Sequence, residues 1–426
     1  MRALVYAWGT RGDVQPYLAL GRALARAGHD AVLVAPARFA PLAAEHGIEL
    51  APWNDEALDL MNRPDVREML AHDDQGGDQV ERTRRFLREE TFRLYGAQLD
   101  DLWRAASDGA DVVVHSQISA QAIGQVAEKL RVPDVWATLY PDYAPSGYYP
   151  SPMRSPRWPR SRLANRLSHL RYRRARPDPR LRAELDRWRA GTLRLPPRRR
   201  RRRADSLLHC FSRHVLPPAP DWPSWVHTTG FWNLPRRPDW RPDEELERFL
   251  AVGEPPICVG FSSQAGNDPA GVGQRVLRAV RRVGVRAVVV TGWGGIEIPD
   301  PGPDVLVVDQ VPFDWLFARV RAVVHPCGAG TFNLALAAGT PQVTCPFMSE
   351  QMWWAERLHR LGVCPEPIRL RDLTAESLAA ALERALTDES VRRSAARMRE
   401  RVRSEGGADA AVAVLERIVG RTGCPQ

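Results

Sequence analysis

The segment Val323–Thr331, which reads Val-Val-His-Pro-Cys-Gly-Ala-Gly-Thr, joins an apolar strand pattern to a glycine-rich turn. Gly328, Ala329 and Gly330 leave room for an anion to reach backbone N–H groups, and Thr331 adds a hydroxyl group. Because the helix that follows carries positive potential at its N-terminus, we expect the turn to favour a phosphate or a diphosphate. Small residues at a helix start are also common packing devices, so the turn alone does not define a ligand.

A second polar pair, Glu350-Gln351, follows the apolar strand pattern Gln342–Cys345 and opens another helix. A carboxylate and an amide together match the hydroxyl donors and acceptors of a sugar. The simpler alternative is that Ser349 caps this helix, which then has acidic residues in its first turn. We interpret the pair as a sugar-binding element because it follows the glycine-rich turn.

Asp13 is the candidate catalytic base. It lies in the turn-rich loop Gly9–Asp13, directly after the apolar strand pattern Ala3–Ala7. A carboxylate within hydrogen-bond reach of a hydroxyl group can accept its proton during attack on an electrophile. Asp13 could instead fix its own loop by accepting bonds from backbone N–H groups.

The elements that must position these residues alternate strand and helix in both halves of the chain. In the first half the predicted strands are Ala3–Ala7, Ala31–Ala35, Asp111–His115, Val135–Leu139 and Ser206–Phe211, with a helix from Pro16 to Ala27. In the second half they are Pro256–Phe261, Arg286–Thr291, Asp304–Val308, Ala322–His325 and Gln342–Cys345, with helices over Gly271–Val283, Phe332–Ala338 and Gln351–Leu361. The pattern predicts two doubly wound α/β domains that face each other across a cleft at the carboxyl ends of their strands.

Composition suggests where these domains begin and end. We expect an N-terminal domain over residues 1–212, a Pro- and Trp-rich interdomain linker over 213–238, and a C-terminal domain over 239–405. Residues 406–426 are predicted to form a helix that packs back toward the N-terminal domain. The Pro- and Arg-rich stretch Tyr148–Arg203 is interpreted as loops and helices over an acceptor cleft.

The charge and the cysteines exclude several classes of protein. The 426-residue chain has a net charge of +9, and six positive charges form the run Arg198–Arg203. That run has no interleaved aromatic residues, so it does not predict nucleic-acid binding, although contact with an anionic surface or partner stays open. The six cysteines have no zinc spacing, and no Asp-x-Asp motif marks a metal site at a strand end of the second half. With no signal-peptide pattern and no apolar run of roughly 20 residues, we expect a cytoplasmic protein without a transmembrane segment.

Several motifs, in one order along the chain, resemble those of family 1 glycosyltransferases with the two-domain GT-B fold. They are Gly9-Thr-Arg-Gly-Asp-Val-Gln-Pro16, Thr229-Gly-Phe-Trp232, Gly260-Phe-Ser-Ser263, Gly292-Trp-Gly-Gly295, Val311-Pro-Phe-Asp-Trp315 and the glycine-rich turn. The resemblance covers nearly the whole length. It is nearest to the bacterial natural-product and sterol glucosyltransferase-like branch.

This resemblance implies a role for each matching position. The C-terminal domain would bind a nucleotide sugar: the diphosphate through Ser262, Ser263, His325, Gly328, Ala329, Gly330 and Thr331, the nucleobase through Trp293, Gln310 and Val311, and the sugar through Glu350 and Gln351. The N-terminal domain would bind a small hydroxylated acceptor, with Thr10 and Arg11 on the acceptor side and Asp13 as general base. The resemblance implies inverting, metal-independent transfer of a hexose or deoxyhexose from a UDP- or dTDP-sugar, without a cofactor. The acceptor would be a natural-product aglycone, as in antibiotic biosynthesis, or a sterol-like lipid.

One position departs from the family pattern. Relatives usually carry two adjacent histidines before the glycines, and here the second is Pro326, which offers neither an imidazole nor an N–H group. His325 would substitute in part, although strand alternation points its side chain elsewhere. The departure leaves open a second class, a catalytically silent GT-B-like binding or activator subunit of a biosynthetic pathway. An epimerase of the same fold lacks its extra acid and base residues here, and a dinucleotide dehydrogenase lacks G-x-G-x-x-G in the first loop.

Overall fold

Two parallel β-sheets organise the chain in the computed structural model. The structure describes residues 1–61, 63, 65–66, 69, 78–152, 161–173, 178–198, 203–261, 268–292 and 295–422. All strand pairs of both sheets are parallel. Helical crossovers connect parallel strands, which places helices on both faces of each sheet.

The first sheet has seven strands in the order β3-β2-β1-β4-β5-β6-β7. The strands are β1 (Arg2–Tyr6), β2 (Asp30–Pro36), β3 (Glu49–Trp53), β4 (Val112–His115), β5 (Asp134–Thr138), β6 (Ser206–His209) and β7 (Val226–Thr228). The helices of this half are α1 (Arg11–Arg26), α2 (Ala40–Glu45), α3 (Glu56–Met61), α4 (Asp78–Arg104), α5 (Ala120–Leu130), α6 (Arg162–Arg173) and α7 (Pro179–Gly191). The strand order reverses between β1 and β4, which makes their carboxyl ends the place where such a sheet binds ligands.

The second sheet has five strands in the order β10-β9-β8-β11-β12. The strands are β8 (Ile257–Gly260), β9 (Ala287–Val290), β10 (Val305–Val308), β11 (Val323–His325) and β12 (Gln342–Thr344). Its helices are α8 (Glu244–Ala251), α9 (Pro269–Val283), α10 (Phe313–Leu316), α11 (Ala329–Ala338), α12 (Ser349–Arg360), α13 (Ala375–Thr387), α14 (Glu389–Arg403) and α15 (Gly407–Thr422). Here the order reverses between β8 and β11, directly before the glycine-rich turn.

Four apolar clusters cover the two faces of each sheet. In the N-terminal sheet, α1 and α15 pack on one face and α4, α5 and α7 on the other. In the C-terminal sheet, α9 and α13 pack on one face and α10 and α11 on the other. The continuous apolar runs of the strands are explained by this burial on both faces.

A fifth apolar cluster joins the domains. Phe211, which follows β6, packs with Phe332 of α11, Trp354 of α12 and Leu358, and all four are almost fully buried. The rings of Phe211 and Trp354 lie 5.4 Å apart, and those of Phe332 and Trp354 lie 5.1 Å apart. This packing holds the carboxyl ends of the two sheets toward each other.

The C-terminal helix α15 lies against the N-terminal domain. Its residues Ala411 and Leu415 belong to the same buried cluster as α1. An ion pair between Arg26 and Asp409 accompanies this contact, and His29 Nε2 lies 2.9 Å from Glu416 Oε1.

Most predicted strands agree with the structure to within two residues, but some elements differ. Strand β7 lies inside the stretch 213–238, so the N-terminal sheet continues past residue 212 into the predicted linker. Helix α1 begins at Arg11 rather than Pro16, because Thr10 and Asp13 form a capping box before the proline. Among the described residues of the basic run, Arg198 pairs with Glu128, and Arg203 lies over the Trp225 ring; residues 199–202 lie outside the described part of the chain.

Leu358→Ala tests the junction between the domains. The side chain is fully buried in the interdomain cluster, so we expect a loss of about 2–5 kcal/mol of unfolding free energy from transfer and cavity terms. Leu163→Ala is the control, since that side chain is 69% exposed and its loss should change stability by under about 0.5 kcal/mol. Urea unfolding followed by tryptophan fluorescence makes the comparison. Equal midpoints for the two variants would contradict the packing described.

Candidate active site

Gly9 allows Asp13 to approach the loop that follows β1. Gly9 has a φ of 131°, and a Cβ atom there would lie 2.4 Å from Asp13 Oδ2. A side chain at position 9 would therefore strain the backbone and displace the carboxylate.

Asp13 is the third residue of helix α1 and also faces the space between the domains. Its Oδ2 accepts the N–H of Thr10 at 2.8 Å and the Thr10 hydroxyl at 2.9 Å. Its Oδ1 has no hydrogen-bond partner among the described residues. The carboxylate is therefore held in place through one oxygen, while the other is free to accept a proton.

The environment of Asp13 changes its acidity. The side chain is exposed to the interdomain cavity rather than to bulk water, and this desolvation raises the pKa of its carboxyl group. The two hydrogen bonds from Thr10 oppose the shift without reversing it. A raised pKa makes a carboxylate a stronger base.

Arg11 connects the two domains. Its Nη1 donates to Oε1 of Gln310 at 2.8 Å, across 299 positions of sequence. The resemblance assigned Arg11 to the acceptor side and Gln310 to the nucleobase. The structure brings these two predicted regions into direct contact.

His325 does not reach the cavity, which corrects the diphosphate contact predicted for it. The residue is fully buried at the end of β11. Its Nδ1 accepts the N–H of Cys327 at 3.0 Å, and its Nε2 lies 2.8 Å from Gln342 Oε1. Burial lowers the pKa of the imidazole to about 4, so it is neutral with the proton on Nε2. Strand alternation directs this side chain into the sheet, where it braces the turn that follows.

The glycine-rich turn opens α11 toward the cavity. Cys327 has a φ of 68°, a conformation that costs a non-glycine residue roughly 1–3 kcal/mol. The helix begins without a side-chain cap, so its first N–H groups are available to a ligand. Cβ atoms added at Gly328 or Gly330 would meet no described atom within 4 Å. Open space therefore lies directly above the helix N-terminus.

Gln351 and Glu350 differ in function: the side-chain oxygen of Gln351 caps a helix, whereas Glu350 faces the cavity. Gln351 Oε1 accepts the N–H groups of Phe347 at 2.8 Å and Met348 at 3.2 Å, so it caps α12. Glu350 lines the cavity, where desolvation raises the pKa of its carboxyl group and the negative charges of Asp13 and Asp142 raise it further. The capping alternative named Ser349, but the oxygen of Gln351 has that function in the structure, while the Gln351 amide nitrogen remains available.

One cavity of about 610 Å³ brings most of the predicted residues together. Both domains contribute to its walls. The predicted residues that line it are Thr10, Arg11, Asp13, Gln310, Val311, Gly328, Ala329, Gly330, Thr331, Glu350 and Gln351. Pro326 also lines it, where the family usually has its second histidine. Ser262, Ser263 and Trp293 lie outside the described residues.

Sequence reasoning missed several residues near this cavity. Tyr140, Trp240 and Phe313 line it, and Asp142 lies just beyond Tyr140. Burial raises the pKa of the Asp142 carboxyl group to about 6. The sequence signal that could have identified Asp142 was its position, since Asp142 shortly follows a strand of the N-terminal sheet as Asp13 does. The prolines and tyrosines around Asp142 obscured that signal.

In the described part of the chain, no group of three or more His, Cys, Asp or Glu side chains is placed to hold a metal ion. No helix there is long and apolar enough to span a membrane. Five of the six cysteines are described, and all five are buried free thiols.

The fold agrees with that of solved glycosyltransferases. The calicheamicin glycosyltransferase CalG4 superposes with a TM-score of 0.71 at 22% identity, over 100% of both chains. The glycosyltransferase VinC, solved with dTDP, superposes with a TM-score of 0.65 at 20% identity, over 99% of this chain and 100% of its own. Two facing parallel-sheet domains with a shared cavity define the GT-B fold here.

Sequence comparison identifies the family. The Glycosyltransferase family 28 N-terminal domain matches residues 3–146, and the Erythromycin biosynthesis protein CIII-like C-terminal domain matches residues 275–417. The chain is 33% identical to the O-mycaminosyltylonolide 6-deoxyallosyltransferase of Streptomyces fradiae, over 98% of this chain and 97% of that protein. This chain therefore belongs to the GT-B glycosyltransferases, a family of enzymes.

A fungal relative is similar over the same region but is much longer. The sterol 3-beta-glucosyltransferase of Emericella nidulans is 31% identical over 96% of this chain. This chain spans only 29% of the length of that protein. The similarity therefore concerns the two sheet domains and not the rest of the fungal enzyme.

Asp142→Asn tests the buried carboxyl group through the pH dependence of stability. The pKa is about 6 in the folded chain and ordinarily 3.8, so the folded state binds this proton more tightly. Wild-type stability should therefore fall as pH rises from about 4 to about 6, and stay lower above that range. At pH 7.5 we expect Asp142→Asn to be more stable by about 1–3 kcal/mol, and near pH 4 to be equal.

Asp55→Asn is the control, because its effect on stability at pH 7.5 should have the opposite sign. Burial alone would raise the pKa of Asp55, but hydrogen bonds from Arg38 outweigh it and lower the pKa. This variant should therefore be less stable than wild type at pH 7.5, and the loss should vanish as Asp55 becomes protonated in acid. Urea unfolding at pH 4 and pH 7.5 measures both variants. A destabilised Asp142→Asn at pH 7.5 would show that the carboxylate is paired.

Proposed function

We propose that this chain is an inverting, metal-independent glycosyltransferase that moves a hexose or deoxyhexose from a UDP- or dTDP-sugar to a hydroxyl group of a small apolar acceptor. The observation that carries the proposal is the meeting of three groups in one cavity. They are the uncapped N-terminus of α11, the carboxylate of Glu350 and the free oxygen of Asp13.

The donor diphosphate is assigned to the N-terminus of α11. Backbone N–H groups and the helix dipole favour an anion there, and Gly328 and Gly330 leave the approach open. The dTDP bound to the structural neighbour VinC supports a nucleoside diphosphate as the guest. Ser262, Ser263 and Thr331 would add hydroxyl groups, and Trp293, Gln310 and Val311 would meet the nucleobase.

The sugar is assigned to the start of α12. Glu350 can accept hydrogen bonds from sugar hydroxyl groups, and the Gln351 amide nitrogen can donate one. The acceptor would be a natural-product aglycone or a sterol-like lipid, because the relatives include a macrolide deoxyallosyltransferase and sterol glucosyltransferases.

The reaction is a single displacement at the anomeric carbon. The acceptor oxygen forms a bond to that carbon while the bond to the diphosphate oxygen breaks, and the hydroxyl proton passes to Asp13 Oδ1. Attack opposite the leaving group inverts the anomeric configuration. The α11 N-terminus stabilises the charge that develops on the leaving diphosphate, which is the function a metal ion has in other transferases. We therefore expect activity to be insensitive to EDTA.

Gly330→Ala tests the donor site without disturbing the empty protein. The new methyl group meets no described atom, and alanine favours the helix by up to about 1 kcal/mol, so the fold should be as stable or more stable. The methyl group would occupy the space of the diphosphate, so we expect at least tenfold weaker binding of UDP or dTDP. Gly420→Ala, an exposed position in α15 that is equally free of neighbours, is the control.

Calorimetric titration of UDP and dTDP into wild type and both variants decides the result. Micromolar binding of UDP or of dTDP identifies the nucleobase of the sugar donor. Wild-type affinity retained in Gly330→Ala would remove the diphosphate from this turn. No binding of either diphosphate to wild type would favour the silent subunit that Pro326 leaves open.

Asp13→Asn tests the general base. Asparagine can still accept the bonds from Thr10, so the start of α1 should be preserved. We expect the turnover of an acceptor identified by screening to fall by roughly 10²–10⁴-fold, with unchanged diphosphate affinity. Glu45→Gln is the control, because it removes one negative charge from an exposed position at the same cavity. Turnover within tenfold of wild type in Asp13→Asn would exclude it as the base.

A further inference from the structure

Helix α6 has its polar and apolar sides reversed. Its polar residues Asn165, Ser168 and His169 are buried. Its apolar residues Leu163 and Leu167 are 69% and 48% exposed. A surface helix of a globular protein normally buries its apolar side and exposes its polar one. The opposite arrangement in α6 leaves two leucines in contact with solvent.

The polar side of α6 is buried because it holds a loop of the N-terminal domain. Asn165 Nδ2 donates to the carbonyl of Gly147 at 2.9 Å, and the Ser168 hydroxyl group accepts the N–H of Ser151 at 2.8 Å. His169 Nε2 lies 3.0 Å from a third carbonyl of the same loop. These side chains satisfy backbone groups that have no partner in a strand or helix. The orientation of α6 therefore has a structural cause, and it fixes the leucines on the outside.

The exposed leucines belong to a small apolar cluster. Leu163 and Leu167 are four positions apart and lie on one side of α6. Tyr148, which is 39% exposed, lies against the same helix, with the Arg162 guanidinium 4.6 Å from its ring centroid. The described part of the chain has seven exposed large apolar side chains, and these are three of them. Single exposed apolar residues are ordinary, whereas a group of them indicates a contact surface.

Arginines border this cluster. Arg162 and Arg166 each precede one of the leucines, and both are exposed. Arg162 donates to the Tyr148 hydroxyl group at 2.9 Å. Arg166 lies 3.5 Å from Asp221, but its side chain is still 65% exposed, so this pair is screened by water and leaves most of the charge available.

The sequence around α6 extends the positive charge. Residues 143–177 contain nine arginines and no Asp or Glu. A contact surface within such a stretch is complementary to a negatively charged partner. We call the surface formed by Tyr148, Arg162, Leu163, Arg166 and Leu167 the basic apolar face.

The shape and charge of the basic apolar face favour a lipid surface over a protein. A symmetric contact with a second copy would bring the arginines of both chains together, where like charges repel. An acidic protein would supply discrete carboxylates, whereas the positive charge here is spread along the chain. An anionic bilayer offers both phosphate groups for arginines and acyl chains for leucines. With 12 residues, α6 is shorter than the roughly 20 that a spanning helix needs, so the contact would be interfacial.

We propose that the basic apolar face binds the surface of an anionic lipid bilayer. Leu163 and Leu167 would enter the interface, and Arg162 and Arg166 would contact lipid phosphate groups while their aliphatic stems cover the leucines. The inference goes beyond the proposed function and does not depend on it.

The basic apolar face is connected to the candidate active site by the loop that α6 holds. This loop begins near Tyr140, which lines the cavity, and reaches Tyr148 eight positions later. Eight residues span at most about 28 Å, so the lipid contact would lie on the same wall of the domain as the acceptor side of the cavity.

Vesicle flotation tests the inference without donor or acceptor. The full-length protein is mixed with vesicles of phosphatidylcholine alone, or of phosphatidylcholine with about one quarter phosphatidylglycerol. We expect wild type to float with the anionic vesicles and to bind the neutral ones at least about tenfold more weakly, since each arginine near an anionic surface contributes roughly fivefold.

Two double variants separate the apolar contribution from the charge. Leu163→Gln combined with Leu167→Gln removes the apolar side chains, and Arg162→Gln combined with Arg166→Gln removes the charge. Each double variant should bind the anionic vesicles at least about tenfold more weakly than wild type. All four positions are exposed, so urea midpoints should stay near that of wild type.

Matched controls change other surfaces in the same way. Val252→Gln replaces an apolar side chain that is 65% exposed after α8. Arg392→Gln combined with Arg393→Gln lowers the net charge by the same two units at exposed positions of α14. Both controls should keep wild-type binding to the anionic vesicles.

Loss of binding in both double variants, with both controls unchanged, supports the inference. It is overturned if wild type does not float with anionic vesicles, or if both double variants float as wild type does. A wild type that dimerises instead, and becomes monomeric in the leucine variant, would assign the face to a second copy. Binding of polyglutamate at least as tight as that of the vesicles, unchanged in the leucine variant, would assign it to an acidic protein. The diphosphate titration tests the proposed function separately, so the two can fail independently.

Discussion

The buried contact between Phe211, Phe332 and Trp354 is the constraint on which the site depends. Each sheet alone presents only half of the chemistry: a carboxylate after β1 in one domain and an uncapped helix after β11 in the other. The apolar cluster fixes how closely these halves approach, because close-packed rings allow little sliding. The Arg11–Gln310 hydrogen bond also joins the domains, and it adds little stability because both residues are exposed.

Desolvation in this cleft has opposite consequences on its two walls. On the C-terminal wall it strengthens the attraction between helix N–H groups and an anion. On the N-terminal wall it raises the pKa of Asp13, and burial behind that wall raises the pKa of Asp142. Glu350 on the C-terminal wall is affected by the charges of both aspartates. The cleft thus combines a helix terminus that attracts anions with carboxyl groups that bind protons more tightly than they would in water.

The sequence predicted ten of the twelve described strands, and the turns that line the cavity, because buried parallel strands are short, continuous apolar runs that end in polar residues. Asp13, Thr331 and Glu350 all follow such runs closely. For His325 two signals conflicted, because the motif suggested a ligand contact while strand alternation pointed the side chain elsewhere, and the structure follows the alternation. The three-residue strand β7 was missed because its residues are only half-buried and lie among prolines. Asp142 depends on the packing of α6 onto a loop without periodicity, and the Arg11–Gln310 contact joins positions that no local pattern relates.

Pro326 is best understood through its two neighbours. A residue before proline is restricted to extended conformations, so Pro326 holds His325 in the strand and ends β11 there. The N–H of Cys327 is then used by His325 Nδ1, which fixes the left-handed conformation at Cys327 and turns the chain into α11. A second histidine would add one side-chain donor to the cavity, whereas this turn offers a rigid backbone with glycines on its open side. The proposed diphosphate would therefore depend on the preorganised N–H groups of α11, whose entropy of ordering is already lost on folding.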